Sequence, residues 1–295
     1  MCEKQTTKRM DNPEDTLLKR QIVYAGDIIH QFHEFPGEYC GPLANEYPNP
    51  QGGIPRVDGA YVVKINDKEY VINIEDESMR VDENSLIKLD RYRRNLEYSQ
   101  DLPVISVIRT PLSKDKCQKI LKSSPTLCLC PWIISLKDCD GAKRLSNITT
   151  KIKNNVALEK VEAMNLVMIP RMFEKNQEKI LEKVCILLHD LKIEDTYFKF
   201  ELIMEMRCVI HKYAKTIEDI IRLEGVIGLQ QAKTAMDFQN QLLIEQGIEQ
   251  GFEQGIETGR FEMALEIKKA EGIEKAIAMS GFSREELENE KLNSR

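Results

Sequence analysis

Apolar positions along the chain change period several times, and each change marks an element. Around Arg56–Glu77 the sequence reads RVDGAYVVKINDKEYVINIEDE. Two runs rich in β-branched and aromatic residues, Val57–Ile65 and Tyr70–Ile74, flank the polar tetrad Asn66-Asp67-Lys68-Glu69, the pattern of two strands joined by a tight turn. A polar break follows. Over Asp82–Gln100, Leu86, Leu89, Tyr92 (or Arg93) and Leu96 then recur at helical spacing. The short run Leu102–Arg109 reads as a strand buried on both faces. Strand, turn, strand, helix, strand gives an α/β core.

The flanking segments extend it. A helix opens at Asp11 or Asn12 with Pro13 in its first turn and carries Leu17, Leu18, Ile22, Ala25, Ile28, Ile29 and Phe32 on one side. The Gly- and Pro-rich stretch Phe35–Pro55 is predicted to hold one edge strand near Leu43–Tyr47. After Arg109 come a helix around Lys114–Lys122, a strand over Thr126–Leu136 and a turn at Lys137–Gly141. Residues from about 148 to 241 are helical in pattern, in four segments. In the tail, Gly247, Gly251, Gly255 and Gly259 recur every four residues, as do Ile244, Ile248, Phe252 and Ile256. Interior glycines cost about 1 kcal/mol each relative to Ala, so this tail reads equally as a self-associating helix or as a partly helical linker. Phe261–Met279 is amphipathic, and Ser283-x-x-Glu286 is a capping box. The expected organisation is three regions: 1–141 as the α/β domain, 142–240 as a helical domain and 241–295 as a Gly/Glu-repeat helical tail.

Candidate chemistry follows from the hairpin register. Pairing Ile65 with Tyr70 sets Asp58 opposite Glu77, and a slip of two residues sets it opposite Glu75. Either way Asp58, Glu75 and Glu77 project from one face at one end. Clustered carboxylates repel unless protons or a cation intervene. Oxygen ligands of this kind suit Mg²⁺, or Mn²⁺ in its place. A solvated acidic hairpin end is the plainer alternative.

These residues carry a resemblance. Asp58 in RVDGAY, Glu75-x-Glu77-Ser78 in INIEDES and the following LPVISVIR resemble the PD-(D/E)xK nuclease superfamily. More narrowly, they resemble its Rpn family of recombination-promoting nucleases, or PD-(D/E)xK transposases, in which Gly-Ile-Glu repeats like those of the tail recur. The resemblance implies a restriction-endonuclease-like mixed sheet with flanking helices. It also implies a metal-dependent DNA endonuclease linked to recombination or transposition, with Asp58, Glu75 and Glu77 as catalytic and metal-binding residues. Glu46, in the Asn45–Pro48 element before the Asp, is a fourth candidate ligand. Glu77 stands where Lys or Gln is usual. It serves there as a further ligand or base, or else marks a decayed site in a protein that binds DNA or a partner.

Charge and cysteines refine this picture. The net charge is −6. From Gln241 onward there are 12 acids and 7 bases, so most of the imbalance lies in the tail. Arg91, Arg93 and Arg94, with Lys114, Lys116, Lys119 and Lys122, remain as basic clusters that could hold phosphates. The 8 cysteines are scattered, and the charged start MCEKQTTKRM has no secretory pattern, which points to free thiols in a reducing cytoplasm. No apolar run spans a bilayer. Cys128-x-Cys130 with Cys139 lacks zinc-finger spacing and a nearby His, so the first two read as small hydrophobes. DNA is the partner the resemblance implies, and the tail offers a surface for homo-oligomerisation.

Overall fold

A computed structural model describes residues 8–43, 57–122, 124, 127–234, 236, 258–259, 261–270 and 272–289. The chain divides into two units, 1–233 and 234–295.

In the first unit a five-stranded sheet runs β1 (Glu38–Pro42), β2 (Gly59–Ile65), β3 (Lys68–Asp76), β4 (Val104–Thr110) and β7 (Trp132–Ser135) in spatial order. The first three strands are antiparallel neighbours, while β3, β4 and β7 are parallel. A small separate hairpin, β5 (Leu121–Lys122) with β6 (Cys128–Leu129), precedes β7. The mixed α/β class expected from the pattern is therefore present.

Alternation along the strands divides the core into two layers. On one face Tyr61, Val63, Ile72, Ile74 and Val107 pack against α1 (Pro13–Phe32) and α3–α7 (Gly141–Lys153, Lys160–Met168, Gln177–Asp190, Thr196–Tyr213 and Ile217–Val226). On the other, Ala60, Val71 and Ile108 pack against α2 (Glu83–Gln100) and the β5–β6 hairpin. Ile72 and Ile74 have no exposed surface, and full burial stabilises each by roughly 1.5–3 kcal/mol. Helix α2 starts where Asp82 accepts a hydrogen bond from Ser85 N at 3.1 Å, and it stops at Asp101 in the left-handed region. Its apolar stripe is Leu86, Leu89 and Leu96.

Several expectations shift. Ile65 pairs with Lys68, so the connection is two residues long. Asn66 and Asp67 both take positive φ, 49° and 62°, as a type I′ hairpin turn requires and as these residue types tolerate. The register is thus the two-residue alternative, and it places Asp58 beside Glu75. The edge strand is Glu38–Pro42 rather than the stretch near Leu43–Tyr47, most of which lies outside the described residues, as does the repeat over 241–257. Lys114–Lys122 is a single 3₁₀ turn, Lys114–Lys116, followed by β5. Thr126–Leu136 is two strands, β6 and β7, separated at Pro131, which has no N–H for a ladder.

In the second unit Phe261, Ala264, Ala276, Phe282 and Leu287 form a small core. Residues 261–270 and Ile273–Ser280 are helical, and the capping box is made: Glu286 N donates to Ser283 Oγ at 3.2 Å and Ser283 N to Glu286 Oε2 at 2.8 Å. Among the described residues no helix is long and apolar enough to cross a membrane.

One buried ionic cluster joins the sheet to the helical layer. Asp76, at the end of β3, accepts two hydrogen bonds from Arg109 (2.6 and 2.7 Å) and one from Arg171 (3.1 Å). Arg109 also donates to Gln21 at 2.8 Å, and Gln21 to Glu205 at 3.1 Å. Burial pushes Asp76 up, but the two guanidiniums outweigh it and hold the carboxyl at about 2. Burial raises Glu205 to about 8.

These two acids act oppositely on stability. Asp76 contributes fully above the ordinary carboxylate range near pH 4, and its contribution is lost as pH falls toward 2. Glu205, neutral in the fold, opposes folding increasingly as pH rises from that range toward 8. Asp76→Asn should cost roughly 3–5 kcal/mol at neutral pH by removing the carboxylate that two buried arginines share, Arg171 keeping only Glu14 at 3.9 Å. Glu205→Gln should flatten the alkaline decline. Urea denaturation across pH 4–9 checks both, and an unchanged midpoint in Asp76→Asn would contradict the first.

Candidate metal and phosphate site

Just before β2 the chain bends at Asp58, whose place is set by its neighbour. A Cβ on Gly59 would lie 2.6 Å from Ile22 Cγ1, so only glycine lets α1 come this close to the strand behind the acid. Asp58 is then tied twice to β3. Its N–H donates to Glu75 Oε1 at 3.1 Å, and its Oδ2 accepts from the Asp76 N–H at 3.0 Å. Glu75 points toward α2 and is 1% exposed, whereas Asp76, one residue on, points into the opposite layer.

Lys88 reaches in from the first half of α2. Its Nζ lies 2.9 Å from Glu75 Oε2 and 3.5 Å from Glu77 Oε1, and it sits 5.6 Å from the centre of the Tyr92 ring, one turn along the helix. Asp58 and Glu75 are thus brought together directly, and Glu77 joins them through the lysine. Glu46 lies outside the described residues. Asp27 is exposed on α1, where its charge acts on Tyr39 and not on this site. Among the basic residues flagged in the sequence, Arg93 is bound to Asp90 and Glu97, and Arg94 to Asp90, within their own helix.

Burial, and then the Asp58 charge, raise Glu75 to about 8 despite the lysine beside it. Burial also raises Asp58, against the pull of Lys88 and the Asp76 amide. Burial alone would lower Lys88, but Glu75 and Asp58 together hold it above the usual lysine range. The pair of acids therefore carries a proton near neutrality, and a divalent cation could take that proton's place.

Mg²⁺ is commonly held by one or two carboxylates with waters and substrate oxygens, and Asp58 and Glu75 supply two. Among the described residues no group of three or more His, Cys, Asp or Glu side chains is arranged to hold a metal ion, so substrate or water oxygens must complete any coordination here. Sequence reasoning passed over Lys88. Its only local signal is a lysine on the border of the apolar stripe of α2, between Leu86 and Leu89. Comparison with family models, curated proteins and solved structures finds no significant match.

The coupling of the three groups can be read by titration. Asp58→Asn should lower the Glu75 pKa, and Lys88→Met should raise it further, because the one removes a repelling anion and the other an attracting cation. Carboxyl ¹³C shifts followed from pH 4 to 10 in protein with labelled glutamate check this. Movement in the same direction in both variants would contradict the arrangement.

Proposed function

We propose that the protein is a metal-dependent DNA endonuclease of the PD-(D/E)xK, Rpn-like type, hydrolysing phosphodiester bonds at the end of β3. The observation that carries this reading is the Lys88 ammonium, 2.9 Å from Glu75 and 3.5 Å from Glu77. Where the sequence pattern lacks a lysine on the strand, helix α2 brings one to the same acids.

Asp58 and Glu75 would hold Mg²⁺ or Mn²⁺. The ion supplies Lewis-acid polarisation of the phosphoryl group and charge neutralisation. The chain's own residues do the rest. The Asp76 amide keeps Asp58 in place. Glu77 shares Lys88 with Glu75, which limits the rotamers open to the ammonium. Lys88, whose side chain is 41% exposed, would aim an N–H at a nucleophilic water or at the developing charge on phosphate. Glu77, at 21% side-chain exposure, is more exposed than Glu75 and would accept a proton from that water.

A second reading has its own support. Lys88 already engages Glu75 Oε2 at 2.9 Å, and two acids alone make a thin metal site. A nuclease fold that has lost cleavage and binds DNA or a protein partner would tolerate that.

The two readings part in a plasmid-nicking assay with Mg²⁺ and Mn²⁺. For a nuclease, Asp58→Ala, Glu75→Gln and Lys88→Ala should each reduce cleavage by roughly 10²-fold or more, the scale of a lost positioned acid–base or electrostatic group. Glu77→Gln should reduce it less, and the circular dichroism of each variant should match that of the parent. Cleavage that survives unchanged in Asp58→Ala would rule out this site. No cleavage by the parent, with DNA retention intact, would leave the binding reading.

A further inference from the structure

Helix α3 carries four bases, Lys143, Arg144, Lys151 and Lys153, and no acid. Two of the four are engaged. Arg144 donates to Asn165 Oδ1 at 2.7 Å and lies over the Phe32 ring, and Lys151 pairs with Glu162. Lys143 and Lys153 are exposed and pair with no acid among the described residues. Helix α5 sorts its charges in the same way. Glu178 and Glu182 pair with Lys215 and Arg222, at 2.6 and 2.5 Å. Lys179 and Lys183 are exposed and, among the described residues, pair with none. Like charges four residues apart work against a helix, so this pair is not there for the stability of α5.

These lysines frame one feature. Lys153 and Lys183 both line a groove of about 370 Å³ between α3 and α5. Three hydroxyls, of Ser146, Thr149 and Thr150, line it with them, and no acid does among the described residues. The two threonines donate to their own helix, to Leu145 O at 2.6 Å and Ser146 O at 3.0 Å. Ser146 is exposed, and its hydroxyl is a donor open to a ligand.

The spread of the charges selects the ligand. Lys143 and Lys153 open and close α3, about 15 Å apart along its axis at 1.5 Å per residue. That is farther than one phosphate group reaches. Ammoniums repeated over this length suit a ligand that repeats its own charge, and a nucleic-acid duplex presents one about every 1.7 Å of axis. A membrane surface repeats charge too, but basic helices that lie on lipid bring exposed apolar side chains with their lysines. No large apolar side chain of α3 is exposed.

We propose that the α3–α5 groove, with Lys143, Lys153, Lys179 and Lys183, is a docking surface for the phosphodiester backbone of double-stranded DNA. The ammoniums and the Ser146 hydroxyl meet phosphate oxygens and no base edge, so binding here carries no sequence preference. The helices belong to the layer across the sheet from Glu75. The surface does not rest on the acid site, and it binds whether or not the chain cleaves.

Fluorescence anisotropy of a labelled duplex, with EDTA present, keeps cleavage out of the measurement. The full-length parent should bind, with log K falling linearly against log salt. Combining Lys143→Gln, Lys153→Gln, Lys179→Gln and Lys183→Gln should lower that slope by about 3–4, near one per phosphate contact, and weaken binding by roughly tenfold or more. Arginine at the same four positions should restore both. Lys192→Gln, which removes another exposed lysine, should change neither, and Asp58→Ala should bind as the parent does. A parent that leaves the duplex unbound at low salt, a four-lysine variant with the parental slope, or an equal loss in Lys192→Gln would overturn the proposal. So would a parent that sediments with phosphatidylserine vesicles and leaves the duplex free.

Discussion

Successive residues of a strand face opposite ways, and at the end of β3 those residues are Glu75 and Asp76. Each puts a carboxylate into a different buried layer, and a buried charge without a partner costs several kcal/mol. The rest of the first unit supplies the partners. The β4 strand and the 3₁₀ turn Ile169–Met172 send Arg109 and Arg171 to Asp76, and α2 sends Lys88 to Glu75. Two neighbouring acids are thereby driven apart in character. Asp76, with two guanidiniums, stays ionised down to about 2, while Glu75, with one shared ammonium and Asp58 beside it, is held at about 8. One is a structural anion. The other is a group whose charge can change under working conditions, the kind of divergence that separates roles among acids in a reactive site.

The structural acid also holds Asp58 through the main chain. Asp76 cannot shift without breaking its bonds to Arg109 and Arg171, and its amide is what holds Asp58 Oδ2. Arg171 stands 95 residues further along, so the helical region clamps the strand end that carries the site. The chain continues the tie at the next residue, where the Glu77 N–H donates to Arg109 O at 3.0 Å. Helices α3–α7 contribute no acid to the site, yet they bear on its geometry through Arg171 and through the run from Glu205 by Gln21 to Arg109.

How far all this could be read from the sequence depends on the range of each interaction. The hairpin, α2 and β4 were legible because period and β-branching are local properties. The register was legible only as a pair of alternatives, since the choice rests on whether Asn66 and Asp67 accept positive φ, a two-residue matter that the apolar pattern does not report. The juxtaposition of Asp58 and Glu75 survived that ambiguity because a slip of two residues preserves the face. The clamp was not legible, because nothing in the composition near Asp76 points to an arginine 95 positions away. Cys128 and Cys130, which are exposed and not small core hydrophobes, misled for a different reason. An apolar neighbourhood in sequence does not fix which side of a two-residue strand is covered.

Lys88 also accounts for the residue that departs from the expected pattern. A lysine at position 77 would set a second ammonium against Lys88, with a buried and partly protonated Glu75 to serve both. Like charges at such separations repel by about 1 kcal/mol even in water and by more where water is excluded. An acid at 77 reverses the sign of that contact, and Lys88 gains a second anchor 3.5 Å away. On the proposed nuclease reading, Glu77 and Lys88 act as one pair, with the cation carried by the helix in place of the strand. The acid just past β3 gives the lysine of α2 a second partner beside Glu75.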